Sequence, residues 1–134
     1  MSQIAIGLRG TATVRVGATN TAVALGSGDV PVFGTPALVA LMEQAAVRAL
    51  TGCLKEGETT VGTWIEISHL AATPVGMEVR AEAELTAVEG RQLTYVVRAH
   101  DSREKIGEGR HQRAIVGRER FLTKVGEKRG AQPT

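Results

Sequence analysis

Several kinds of residue are scarce in this chain, and each shortage narrows what it can be. Only four of its 134 residues are aromatic: Phe33, Trp64, Tyr95 and Phe121. The core must therefore be built from Val, Ile, Leu and Ala. Such a core is thin for this length, so burial against a second copy would help. The single cysteine, Cys53, excludes an intrachain disulfide and fits a reducing, cytoplasmic setting. It has no activating motif beside it and reads as a small apolar residue. No apolar run approaches membrane-spanning length and no signal peptide begins the chain, so no membrane partner is expected. The three histidines lack HxH or HExxH spacing, which argues against zinc. Neither a dinucleotide fingerprint nor a P-loop pattern occurs; Gly107-Glu-Gly lies within a strand and opens no helix. Net charge is only +2, and the excess sits at the end, where five basic residues from Arg118 onward stand against two acidic ones. A nucleic-acid binder would carry a broader basic face with interleaved aromatics, so no nucleic acid is expected and the basic tail, flexible from about residue 126, reads as solvated.

What is present is ordinary in bulk and specific in place. Apolar residues at 43% and charged residues at 22% suit one globular domain spanning 1–134. The organising stretch runs from Val32 to Leu50: a strand end, a Gly turn, then the only long helix. Thr35 is a natural N-cap, Pro36 a natural first helical residue and Gly52 a natural stop. At 100° per residue Gln44 and Arg48 mark the solvent side, with Ala37 beside them. Glu43 lies well over 90° away and shares its face with Val39, Ala46 and Leu50. A carboxylate in that setting is costly unless it is paired or reaches water. It is either a helix-edge residue or a catalytic group.

Before the helix, residues 4–16 read as a strand whose alternation is best at Val14 and Val16, and 17–29 as a loop with a short helical turn around 21–25. After it, 59–71 is a strand with Val61, Thr63, Ile65, Ile67 and His69 on one face and Gly62, Trp64, Glu66, Ser68 and Leu70 on the other. Residues 77–88 alternate most cleanly, Glu89-Gly90 forms a hairpin turn, and 92–100 returns. A further strand spans 105–116, and 121–125 adds a short strand ending. A meander of this kind is antiparallel, and one helix across it makes an α+β fold. His111 shares a strand face with Arg113 and reads as structural, while Gly107 and Gly109 on that face allow a neighbour to approach the backbone.

Three weak signals gain weight together: a hydroxyl at a helix N-terminus, a half-buried carboxylate two turns on, and an imidazole on the apolar face of a strand. The helix start favours a developing oxyanion, and the imidazole can relay a proton near neutral pH. On Val32-Phe-Gly-Thr-Pro-Ala-Leu-Val-Ala-Leu-Met-Glu43, on Thr59-Thr-Val-Gly62-Thr through His69, and on Gly107-Glu-Gly-Arg-His-Gln-Arg-Ala-Ile-Val116, the chain resembles a hot-dog-fold thioesterase. It is most similar to the fluoroacetyl-CoA thioesterase family, over roughly residues 8 to 118. The resemblance implies a hot-dog fold, one long central helix wrapped by a curved antiparallel sheet of about five to six strands, assembled as a homodimer or a tetramer. It implies hydrolysis of an acyl-CoA to a carboxylate and free coenzyme A by Thr35, Glu43 and His69. Gly62 matches a glycine beside the thioester and Arg113 an arginine near the site; Phe33 and Gly34 join them as substrate-binding candidates. Coenzyme A enters as part of the substrate, with no separate cofactor and no metal. In this reading Thr35 is nucleophile or water-orienter, and Glu43 base or nucleophile. One departure is visible: the family's fluoroacetyl-specific member carries phenylalanines in the lid before the helix, and Leu25-Gly-Ser-Gly-Asp-Val30 has none. A broader or different acyl specificity follows. The competing reading is a module that binds an acyl-CoA or small acyl ligand without turning it over.

Overall fold

Two sequence periodicities, one near 3.6 and one of 2, become one long helix and one curled sheet. The computed structural model describes residues 3–130. In chain order the elements are β1 (Arg9–Arg15), α1 (Ala22–Leu25), α2 (Thr35–Ala49), β2 (Glu58–His69), β3 (Glu78–Glu89), β4 (Gln92–Asp101), β5 (Lys105–Gly117) and α3 (Arg118–Gly130). The five strands form one antiparallel sheet in the order β1-β3-β4-β5-β2, and α2 lies along its concave face. The expected α+β hot-dog arrangement is present, with five strands.

The helix is not centred on the sheet. It packs closely on β1 and β3 and only lightly on β2. Gly10 explains part of this offset, because a Cβ there would run into the backbone of Ala45 and Ala49. Its absence lets the helix sit directly on β1. The buried helix face of Leu38, Leu41, Met42, Ala45, Ala46 and Ala49 then meets Ala12, Val79, Ala81, Ala83, Leu85 and Val97, all nearly or fully removed from water. Each large side chain buried this way contributes roughly 1.5–3 kcal/mol before entropy is counted.

Four local expectations need correction. The first strand begins only at Arg9, because a turn at residues 6–7, with Gly7 at φ 100°, interrupts residues 4–8. The strand end before α2 is reduced to isolated bridges, Thr21 with Phe33 and Val32 with Pro74. Residues 121–125 are helical, within α3, whose side chains all remain at least partly exposed. The tail expected from about residue 126 falls partly on the last turns of α3 and partly on 131–134, outside the described residues. The fourth correction is the face assignment in β2. A bulge between Gly62 and Trp64 inserts an unpaired Thr63, so Gly62 faces Arg113 while Ile65 faces His111. Directly paired residues share a sheet face, and one extra residue reverses the alternation. Gly62 thus points inward with Ile65, Ile67 and His69, not with Trp64.

Candidate active site

The start of α2 differs from the expected cap, and the difference frees a functional group. The N-cap is Gly34 (φ −78°, ψ 144°), which offers no side chain, and Thr35 is the first helical residue. Gly34 fits because it is pressed against α1; a Cβ there would lie 3.0 Å from Leu25 Cδ1 and 3.1 Å from Ala22 N. The Thr35 hydroxyl is therefore not used as a cap. Its Oγ1 lies 2.7 Å from His69 Nδ1 at the end of β2. Burial lowers the His69 pKa below its ordinary 6.5, and the Ala71 backbone offsets part of this. A neutral ring with its hydrogen on Nε2 would accept the Thr35 proton at Nδ1; Nε2 is buried without a hydrogen-bond partner. The pair opens into a cleft of about 390 Å³, lined also by Phe33, Gly28, Val30 and Ala71. Phe33 is core and cleft wall at once, buried to 1% exposure. Gly34 does not line the cleft; it shapes the helix start.

Glu43 forms a second cluster. Its side chain, 39% exposed, has Oε2 at 3.4 Å from Arg113 Nη1 and 3.9 Å from His111 Nε2. Gly62 makes the room: a Cβ there would lie 2.7 Å from that same oxygen. The space expected to admit an acyl group is thus where the carboxylate rests. Arg113, nearly buried, is fixed from three sides. Its Nε donates to Thr60 Oγ1 at 2.9 Å, its Nη2 to Thr60 O at 3.1 Å, and its Nη1 to His111 Nε2 at 3.1 Å as well as towards Glu43.

One chain does not bring the expected Thr/Glu/His set together. Thr35 and Glu43 are eight residues apart on one helix, about 12 Å along its axis. In the sheet His69 pairs with Gly107 and Gly62 with Arg113, six residues along β5, about 20 Å at strand rise. Thr35–His69 and Glu43–Gly62–Arg113 are two half-sites separated along β2 and β5. Thr60 and His111 were not singled out as site residues. The signal for His111 was parity, since Gly107, Gly109, His111 and Arg113 share one face of β5; Thr60 enters only through the pairing of β2 with β5.

Comparison with known proteins places this geometry. A family model described as fluoroacetyl-CoA-specific thioesterase matches residues 16–119. The fluoroacetyl-CoA thioesterase of Streptantibioticus cattleyicolor is 48% identical over 97 residues, 72% of this chain and 70% of that protein. The solved structure of the fluoroacetyl-CoA thioesterase FlK superposes with a TM-score of 0.89 at 39% identity, covering 98% of this chain and 100% of the other. A Thermus thermophilus protein described as a thioesterase superfamily member gives a TM-score of 0.87 at 29% identity, over 98% and 100% of the two chains.

Proposed function

The chain belongs to the fluoroacetyl-CoA-specific thioesterase family, and we propose that it hydrolyses a small acyl-CoA thioester with Thr35, His69 and Glu43 as the working set. The observation that carries this reading is the 2.7 Å contact of Thr35 Oγ1 with His69 Nδ1, at the start of α2 and on the wall of a cleft. A binding module would have no use for a hydroxyl held on a neutral imidazole. The cleft's modest volume suits a short acyl group.

The two half-sites join if two copies pair. β2 is an edge strand, bonded only to β5, with Trp64 43% and Val47 49% exposed nearby on β2 and α2. A long unprotected edge invites pairing with another chain. Two β2 strands running antiparallel about a point between Ile65 and Glu66 set His69 of one copy opposite Gly62 of its partner. Each site of the homodimer then combines Thr35 and His69 from one copy with Glu43, Gly62 and Arg113 from the other.

In such a site the thioester carbonyl oxygen faces the first turn of α2, where the N–H groups lack helical partners. Glu43 takes a proton from water, and the resulting hydroxide adds to the carbonyl carbon. The C–S bond then breaks, the leaving thiolate receives the proton that Glu43 took from water, relayed by way of the Thr35–His69 pair, and the acid product releases its own proton to solvent. Arg113 fixes the carboxylate in direction. Carboxylate and free coenzyme A result, with no other cofactor and no metal.

An acyl-CoA panel read by a thiol-trapping dye tests the reading. One thiol should appear per acyl-CoA consumed. Glu43→Gln, folded and assembled as wild type, should run roughly a hundredfold to ten-thousandfold slower, the range for loss of a general base. A Glu43→Gln protein at wild-type rate would return Glu43 to a helix-edge carboxylate. Since the segment from Leu25 to Val30 has no aromatic side chain, kcat/KM for fluoroacetyl-CoA and acetyl-CoA should lie within about tenfold of each other. A preference of several orders of magnitude would contradict that.

A further inference from the structure

His111 is 1% exposed beside Arg113 and Glu43, and the chemistry above gives it no part. Its surroundings determine its state. Nδ1 lies 2.8 Å from the Trp64 carbonyl oxygen and Nε2 lies 3.1 Å from Arg113 Nη1. A carbonyl only accepts and a guanidinium only donates. The ring must therefore be neutral, with its hydrogen on Nδ1 and a bare Nε2. Burial pulls its pKa down, the Trp64 carbonyl raises it, Arg113 lowers it and Glu43 raises it, with a net lowering. Tyr95 from β4 stacks on the ring at 6.1 Å between centroids, and no other ionisable group of β4 or β2 is recorded against it.

The consequence runs through Arg113. Nη1 carries two hydrogens and has two acceptors, His111 Nε2 and Glu43 Oε2. Thr60 occupies the other side of the guanidinium. The fork can rotate only by giving up one of these partners. We propose that His111 is a positioning residue for Glu43: its bare Nε2 takes one Nη1 hydrogen, which aims the other at the carboxylate and keeps the Glu43 oxygen over Gly62. This rests on Glu43 being the working carboxylate.

Two substitutions separate this role from packing. His111→Asn retains an amide group near Nδ1, within reach of the Trp64 carbonyl, and leaves nothing at Nε2 for Arg113. His111→Gln does the reverse, placing an amide oxygen near Nε2. The expected result is that His111→Asn lowers kcat roughly tenfold with KM little changed, whereas His111→Gln stays within about threefold of wild type. On a Glu43→Gln background His111→Asn should cost nothing further, because the effect is routed through the missing carboxylate. Equal losses on both backgrounds, or a slow Gln variant beside a fast Asn variant, would overturn the proposal in favour of a packing or Trp64-anchoring role. Nitrogen NMR of the wild-type ring decides independently of any variant's folding. The expectation is a hydrogen on Nδ1 and none on Nε2 throughout the pH range of full activity; a protonated Nε2 there would overturn it. If Glu43→Gln alone runs at wild-type rate, the functional reading falls and this inference with it. If Glu43→Gln is slow and His111→Asn is fast, this inference falls alone.

Discussion

The two halves of the concave sheet face differ in everything except register. Beneath α2, inward positions of β1, β3 and β4 carry Ala12, Val79, Ala81, Ala83, Leu85 and Val97, apolar and closed to water. In the other half, inward positions of β2 and β5 carry Thr60, Gly62, His69, Gly109, His111 and Arg113, with Ile65, Ile67 and Ile115 among them and Gly107 beneath Leu38 and Met42 of α2. What changes is the filling: in the first half the inward positions are apolar throughout, and in the second polar and glycine positions are interspersed with isoleucines. Glu43 stands at the border, on the side of α2 that looks to the open half. The division assigns stability to the covered half and chemistry to the open one, and each assignment can be broken separately.

The largest effect is expected in the covered half. Leu85 is fully buried, and Leu85→Ala should destabilise the fold by about 2–5 kcal/mol through lost burial and the cavity left behind. Its kcat per folded molecule should stay near wild type. A Leu85→Ala protein that keeps its stability but loses turnover would erase the distinction. The reverse is expected at Gly62. Gly62→Ala places a Cβ 2.7 Å from Glu43 Oε2 and must displace the carboxylate. Turnover should fall roughly a hundredfold, the scale of a misplaced catalytic group, with unfolding temperature little changed.

Acid should act on the two halves unequally. Burial keeps both His69 and His111 below the usual histidine range, so each prefers its neutral form in the folded chain more than in the unfolded one. The stability this contributes is fully present above pH about 6.5, the unfolded value, and is lost as pH falls through the lowered folded values. Turnover should fall on the same side, since a protonated His69 cannot accept from Thr35 and a protonated His111 cannot accept from Arg113. No inward histidine lies under α2, so the destabilisation caused by Leu85→Ala should not change between pH 5 and 8. The check is a pH series of kcat/KM beside denaturant curves of both proteins; a kcat/KM that is flat down to pH 5 would contradict it.

Much of the covered half was legible in the sequence. The alternation from Val79 to Leu85, the Glu89-Gly90 turn and the helix pattern after Pro36 each obey one local rule, and the structure follows them; at Ala87 it does not, because a bulge after Leu85 turns Ala87 to the other face. The open half was legible only as residue types. Thr35, Glu43 and His69 were visible as chemistry, but three non-local facts were not. Gly34 caps the helix because α1 presses on it, which releases Thr35. The bulge at Thr63 turns Gly62 inward, an event that alternation alone cannot signal. His111 looked structural because its partners, Arg113 Nη1 and the Trp64 carbonyl, are fixed by strand pairing rather than by sequence distance. Residues 121–125 misled for the opposite reason: Phe121 and Val125 suit a strand, yet among the described residues no strand pairs beyond Gly117, and a run with Arg, Glu, Leu and Lys winds into α3.

The account's central claim is that neither copy holds a complete site. The direct measurement uses mixed dimers, in which one differently tagged chain carries Glu43→Gln and the other His69→Ala. If each site takes Glu43 from one copy and His69 from the other, the mixed dimer has one site with both changes and one with none. It should recover about half the wild-type rate per dimer, while each parent homodimer stays near the background. Mixed dimers as inactive as their parents would show that Glu43 and His69 work within one chain, and would contradict the composite site.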